Sequence, residues 1–188
     1  MPTRTDSADP RATRVRERIK EAAFALVEQH RVEDISVRDV VTAAEVSRQV
    51  FYGHFRDRDD AVAQAVTDSF AEHFGDTTGR ELPELAQALF DYIEEHAALY
   101  RNLYPSAASE QTANAFRALL LPACTAAARQ IAPDPGAPAD TLAHLLLGGI
   151  IEVTRHCADL RAENGAAPDL RAARRSLDAT LRLLLPGD

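Results

Sequence analysis

Arg48, Gln49, Tyr52 and His54 follow Ser47 within two helical turns, and each side chain ends in a group that can donate a hydrogen bond. Val50, Phe51 and Phe55 are interleaved with them. A helix with both kinds of residue can bury the apolar set and turn the donors to a polar surface, which is what a recognition helix needs. Arginine donates bidentately to guanine O6 and N7 and glutamine pairs with adenine N6 and N7, so Arg48 and Gln49 are expected at base edges. Tyr52, His54, Ser36 and Arg58 suit phosphate oxygens, Arg38 adds another contact of that kind, and Ser47 belongs to the set as the residue that opens the helix. A solvated surface is the plainer reading of the four polar residues, but a two-turn helix gains little by exposing so many donors unless something binds them. For Ser36 and Arg58, capping and ion pairing at a helix start are equally good readings. Val50, Phe51 and Phe55 are expected in the core.

Those side chains need short helices to carry them. Apolar residues at Val15, Ile19, Ala22, Ala23, Leu26 and Val27 follow the 3.6-residue period and predict a first helix over 14–30. A polar break at 31–34 precedes Ser36 and Asp39, a Ser-x-x-acid helix start, and Val37, Val40, Val41 and Ala44 give a short second helix its buried stripe. Ser47 caps the third. Two short helices so close together form a helix-turn-helix candidate.

The stretch ISVRDVVTAAEVSRQVFYGHF, residues 35–55, closely resembles the DNA-binding region of TetR-family transcriptional regulators. The resemblance rests on the Ser-capped second helix, on Ala43-x-x-Val46-Ser47 at the turn, and on a recognition helix ending Phe51-Tyr52-x-His54-Phe55; it runs over 14–66, with Arg58 where the family usually has Lys. Before it, Pro2, Ser7, Asp9 and Pro10 mark residues 1–10 as a disordered leader. The resemblance implies an all-α fold with a three-helix DNA-binding domain over 11–58 and a larger helical effector-binding and dimerisation domain over 59–188. It further implies a homodimer that binds a palindromic operator in double-stranded DNA, with half-sites about 34 Å apart, and most readily a repressor released by a small-molecule effector. Glu45 departs from the pattern, standing where the family commonly has Gly; a left-handed turn there would cost a Glu on the order of 1 kcal/mol.

Composition bounds the rest. The 188 residues include 35 Ala, 8 Gly and no Trp, which favours helix over sheet. The net charge of −8 argues against nucleic acid only until it is divided: residues 1–58 hold 11 Lys+Arg against 10 Asp+Glu, and 59–188 hold 10 against 19. Cys124 and Cys157 are too few for a disulfide framework and suit a reducing compartment. The first eighteen residues lack the apolar run of a signal peptide. The apolar stretch 142–153 is broken by His144 and Glu152 and is short of the about 18 residues a membrane span takes. A cytoplasmic protein without membrane contact is expected.

Further helices are expected from Asp57 or Asp59 towards Phe74, from Leu85 to about His96, over 99–104, over 110–131 with a kink at Pro122, and over 139–163 and 168–185, with Gly75, Gly79 and Pro83 as punctuation. Phe70, Phe74, Phe90, Ile93, Tyr100, Leu103, Phe116 and Leu120 outnumber what slender Ala-rich helices need, so part of the set is expected to line an apolar effector pocket with His96, Tyr104 or His144 as polar contacts. Residue by residue, ordinary core is the better reading of each. A cationic ligand held by Glu152 or Asp91 is a weaker alternative. Leu145, Leu146, Val153, Leu177, Leu181 and Leu184, with Gly149 allowing close backbone approach, exceed what a terminal hairpin needs and are expected to form the dimer seam. No catalytic motif is present, and neither metal nor cofactor is expected. The competing classes are a helical-bundle enzyme or metal carrier and a protein-interaction module that does not bind DNA.

Overall fold

The computed structural model describes residues 10–134, 138–164 and 170–185; of 156–164, 170 and 171 it describes the backbone only. The expected leader lies outside the described residues, except Pro10, which opens the first helix. Among the described residues the chain is all-α, without strands. The order is α1 (Pro10–Gln29), a 3-10 turn (Val32–Asp34), α2 (Val37–Ala43), α3 (Arg48–His54), α4 (Arg58–Phe74), α5 (Leu82–Glu95), α6 (Ala97–Leu103), α7 (Ala107–Ile131), α8 (Ala139–Asn164) and α9 (Leu170–Leu184). Two compact units divide it, one ending at Asp68 and taking in Asn102–Thr112, the other formed by Ser69–Arg101 and the chain from Ala113 onward.

In the first unit Ile19, Ala23 and Val27 repeat every fourth residue along α1 and are fully buried, and α1 lies against α2 through that stripe. The start of α2 is a reciprocal capping box: Ser36 Oγ accepts from the Asp39 amide at 3.3 Å, and the Asp39 carboxylate accepts from the Ser36 amide at 2.8 Å. The segment read as a polar break is instead a 3-10 turn that buries Val32 completely, followed by buried Ile35. One apolar residue among charged neighbours gives no period to read, so the sequence hides this anchor.

Between α2 and α3 the chain turns through a Schellman motif. The Val46 amide donates to the Val41 carbonyl at 3.0 Å and the Glu45 amide to the Thr42 carbonyl at 3.2 Å, with Glu45 left-handed at φ 51. Arg18 braces the turn, its guanidinium donating to the Ala44 carbonyl at 2.6 Å and reaching the Glu45 carboxylate at 3.4 Å.

In the second unit Gly75 and Gly79 take positive φ, at 58 and 75, where the chain leaves α4, and the Arg80 guanidinium donates to the Phe74 carbonyl at 2.9 Å. Pro83, expected as punctuation, sits in the first turn of α5, where its missing donor is not needed. Leu82, Leu85, Leu89 and Ile93 form the buried stripe of α5. Helix α7 runs on through Pro122. Arg174 ties α9 to α5 through Asp91.

Glycine at position 45 would relieve the left-handed strain and lose only a solvent-exposed ion pair with Arg18, since both side chains stand largely in water. Glu45→Gly is therefore expected to stabilise the chain by about 1 kcal/mol, roughly 2–4 °C in Tm. Glu45→Ala loses the pair and keeps the strain, so it should melt below Glu45→Gly. A calorimetric series in which Glu45→Gly melts no higher than Glu45→Ala would overturn this account of the turn.

Candidate nucleic-acid interface

Helix α3 is opened by Ser47, whose Oγ accepts from the Val50 amide at 3.2 Å. Phe51 and Phe55, four apart, are buried at 0% and 2% exposure with ring centroids 5.7 Å apart, and they fix which face points inward. Arg48, Gln49 and Tyr52 are exposed, Tyr52 at 58%, and the edge of the Phe51 ring meets the Tyr52 ring with centroids 5.4 Å apart. A Cβ on Gly53 would meet nothing within 4 Å. His54 is half-buried in the last turn.

Val50 differs from expectation: it is 39% exposed, outside the core. It lies one helical step, about 100°, from Phe51 on the side away from Phe55, so burying both aromatics turns it outward. The helical positions of Phe51 and Phe55 alone carry that signal. The outward face therefore has an apolar member among its donors.

The other expected residues are distributed around this face. Arg38 is exposed on α2. The exposed Ser36 is engaged in the capping box, where its hydroxyl also donates to the Asp39 carboxylate at 2.6 Å. Arg58 donates to the Ile35 carbonyl at 2.7 Å and the Glu33 carbonyl at 3.2 Å and meets Asp59, so its guanidinium fastens the 3-10 turn to the start of α4. Ser36 and Arg58 thus hold the backbone around the helix-turn-helix in place.

Asp60, at 8% exposure, accepts from the Arg56 amide at 2.9 Å and from the Gln64 side chain at 2.8 Å. Burial is the largest single influence on its carboxyl and raises its pKa. The two hydrogen bonds and the Arg56 charge together outweigh burial and hold it below the usual carboxylate value. The Asp39 carboxyl is also lowered, chiefly by the Ser36 hydroxyl and amide.

Residues 19–65, from α1 into α4, match the family model described as bacterial regulatory proteins, tetR family. Residues 19–65 are thus a tetR-family regulatory segment. The match supports a DNA-binding transcriptional regulator, and α3 is the second helix of its helix-turn-helix. The fold is similar to that of a TetR transcriptional regulator from Streptococcus agalactiae 2603V, at TM-score 0.63 and 20% identity, covering 92% of this chain and 96% of that one. The dihydroxyacetone kinase operon activator DhaS is similar at TM-score 0.61 and 16% identity over 92% and 98% of the two chains. The fatty acid degradation regulator FadR from Bacillus halodurans gives TM-score 0.61 and 14% identity over 94% and 96%. At these identities the likeness is one of fold. No curated protein matches the sequence significantly.

In the second unit, Phe70, Phe74, Phe90, Ile93, Tyr100, Phe116 and Leu120 are buried. Phe70 packs on Phe74 with centroids 4.2 Å apart and meets Tyr92 edge-on at 5.2 Å. Tyr92 was not singled out in the sequence, yet it is fully buried, its hydroxyl 3.1 Å from Ser69 Oγ and its ring 4.5 Å from that of half-buried His96. Leu103 and Tyr104 fall in the first unit, and His144 is exposed on α8. A cleft of about 480 Å³ lies beside the α4–α5 loop and α7, lined by Arg80, Leu82, Leu119, Pro122, Gln130 and Leu185 among others and by none of the expected effector residues.

All seven expected seam residues, Leu145, Leu146, Gly149, Val153, Leu177, Leu181 and Leu184, line one apolar groove of about 620 Å³ between α8 and α9. Leu145 and Leu184 stand open on it at 67% and 44% exposure. Burial pushes the Cys124 thiol up to about 11, which leaves it an inert core residue, while the Cys157 side chain lies outside the described residues. Among the described residues no group of three or more His, Cys, Asp or Glu could hold a metal ion, and no helix is long and apolar enough to cross a membrane.

The lowered Asp60 carboxyl fixes a sign for acid unfolding. Its stabilising contribution is fully present above the ordinary value of 3.8 and is lost as pH falls through the lower folded value. Asp60→Asn should melt below wild type at neutral pH, the gap should hold down to about pH 5, and it should narrow only as pH falls below about 4. A gap that narrows already between about pH 7 and 5, or that does not narrow below about pH 4, in thermal melts would contradict the charged, hydrogen-bonded Asp60.

Proposed function

We propose that the protein is a cytoplasmic homodimeric repressor whose two α3 helices read the halves of a palindromic operator, and which a small molecule releases. The observation that carries the reading is the outward face of α3, where Arg48, Gln49, Val50 and Tyr52 are exposed over a buried Phe51–Phe55 pair. Arg48 takes guanine and Gln49 adenine, and Val50 supplies an apolar contact for a thymine methyl group. Tyr52, His54 and Arg38 take phosphates. Ser36, Ser47 and Arg58 support the site through the cap and backbone bonds already described.

In this reading residues 11–58 are the DNA-binding segment and 59–188 the effector and dimerisation segment, with no catalytic step. The α8/α9 groove favours a second copy as its occupant, because leucines open to water at this density are covered in a stable protein. The cleft beside Pro122, at about 480 Å³, exceeds the roughly 300 Å³ a small ligand needs, and Leu82, Leu85, Leu119 and Pro122 in its lining favour a hydrophobic or aromatic effector, with Arg80 and Gln130 as polar contacts. An effector that prefers one conformation shifts the spacing of the reading heads and so lowers operator affinity. Activation is the second reading, favoured by the similarity in fold to an operon activator; it uses the same DNA contacts with the opposite sign in a reporter strain.

Selection from a random-sequence duplex pool should enrich a palindrome. Arg48→Ala should weaken its binding by about 1–3 kcal/mol and relax preference at one base pair per half-site, and Val50→Ala should relax preference for a thymine. Failure to enrich any duplex would sink the reading. Leu145→Glu and Leu184→Glu, both at positions open to water in the single chain, should give monomers by light scattering; full dimers from both would remove the seam.

A further inference from the structure

We infer that Arg16, Gln64 and Asp60 are positioning residues that set the direction of the recognition helix, acting through the three consecutive residues at its carboxyl end. The inference rests on the reading that α3 contacts DNA. A two-turn helix has little stiffness of its own, and Ser47 secures only its start. At the other end each residue is held from outside α3. The His54 carbonyl accepts from Arg16 Nη1 at 3.2 Å. The Phe55 ring lies beneath the Arg16 guanidinium, 4.9 Å from ring centroid to the guanidinium carbon. The Arg56 amide donates to Asp60 Oδ2 at 2.9 Å.

Gln64 closes the circuit. Its Oε1 accepts from Arg16 Nη2, and its Nε2 donates to Asp60 Oδ1 at 2.8 Å, so one amide joins the clamp on His54 and Phe55 to the clamp on Arg56. The polarity is fixed, because a reversed amide would face donor with donor and acceptor with acceptor. A second tie runs one turn further along both helices, where Lys20 of α1 meets Asp68 of α4. Arg16 comes from α1, and Gln64 and Asp60 come from α4, so the angle of α3 is referred to two longer helices. None of the three stands on the outward face of α3. A shift of about 1 Å in the arm that carries Arg48 and Gln49 degrades bidentate base pairing while leaving phosphate attraction nearly intact.

The test uses the full-length protein, the palindromic duplex selected with wild type, and a scrambled duplex of equal length. Arg16→Met and Gln64→Leu should each weaken the selected duplex about tenfold while binding the scrambled duplex as wild type does. The salt slope should be unchanged, and the double variant no worse than Arg16→Met alone. Arg16→Lys, which can serve one acceptor but lacks the planar fork, should recover part of the loss. A salt slope smaller by about one would make Arg16 a phosphate contact and overturn the inference. So would unchanged affinity, or equal losses on both duplexes in step with a lower Tm. If Arg16→Met does not fold, Gln64→Leu decides alone; if neither folds, the circuit holds the domain together and the inference falls. If wild type selects no duplex, the reading of α3 fails first, a different result from selection by wild type that the variants share undiminished.

Discussion

Helix α3 closes too few of its own hydrogen bonds to persist alone, so which side chains it exposes depends on the burial of Phe51 and Phe55. Removing each aromatic side chain from water contributes about 1.5–3 kcal/mol, against about 1 kcal/mol for the Ser47 cap. Burial therefore decides the rotation of the helix, and the cap decides where it begins. Once both phenylalanines are inside, Gln49 and Val50 have no choice but to face out, and the exposed face follows from the hidden one.

The same dependence extends backward along the chain. Helix α2 is also only seven residues long, and it is held by the Ser36–Asp39 box at one end and the Schellman turn at the other. That turn needs a left-handed residue, and the sequence supplies Glu45 where glycine would fit without strain. Arg18 bonds the Ala44 carbonyl whatever residue stands at 45, so this brace on the turn persists although the strain does too. Turn geometry is thus kept by hydrogen bonds around the strained residue, and the direction of α3 survives a locally unfavourable choice.

How legible these features were in the sequence depended on whether a local rule governed them. Ser36 with Asp39, Ser47 with Val50, and the four-residue repeat of Ile19, Ala23 and Val27 each follow from spacing alone, and the helix-turn-helix follows from them. Val32 did not yield, since one apolar residue among charged neighbours sets no period, whereas the outward turn of Val50 was recorded in the four-residue spacing of Phe51 and Phe55 and was masked only by its apolar side chain. Arg16 looked like one more charged residue on α1, because its partners His54 and Gln64 are far along the chain. The aromatic residues of α4 to α7 are ambiguous for a different reason. Core and pocket wall use the same residues at the same spacing, and the packing of Phe70 on Phe74 and Tyr92 is the ordinary outcome of burying large rings.

Charge sets the last constraint. The acidic residues of 59–188 act on a duplex only within about 8–10 Å in physiological salt, so net charge says less than the charges beside α3. Even there residues 1–58 carry only one positive charge in excess. Long-range attraction is correspondingly slight, and non-specific affinity, which comes from phosphate neutralisation, is slight with it. Selectivity then has to come from a few direct contacts per head. In the proposed dimer the second head binds at the high effective concentration set by the first, which multiplies two modest affinities without any new contact. In that proposed dimer the leucines of α8 and α9 act on operator affinity only through the placement of the second head.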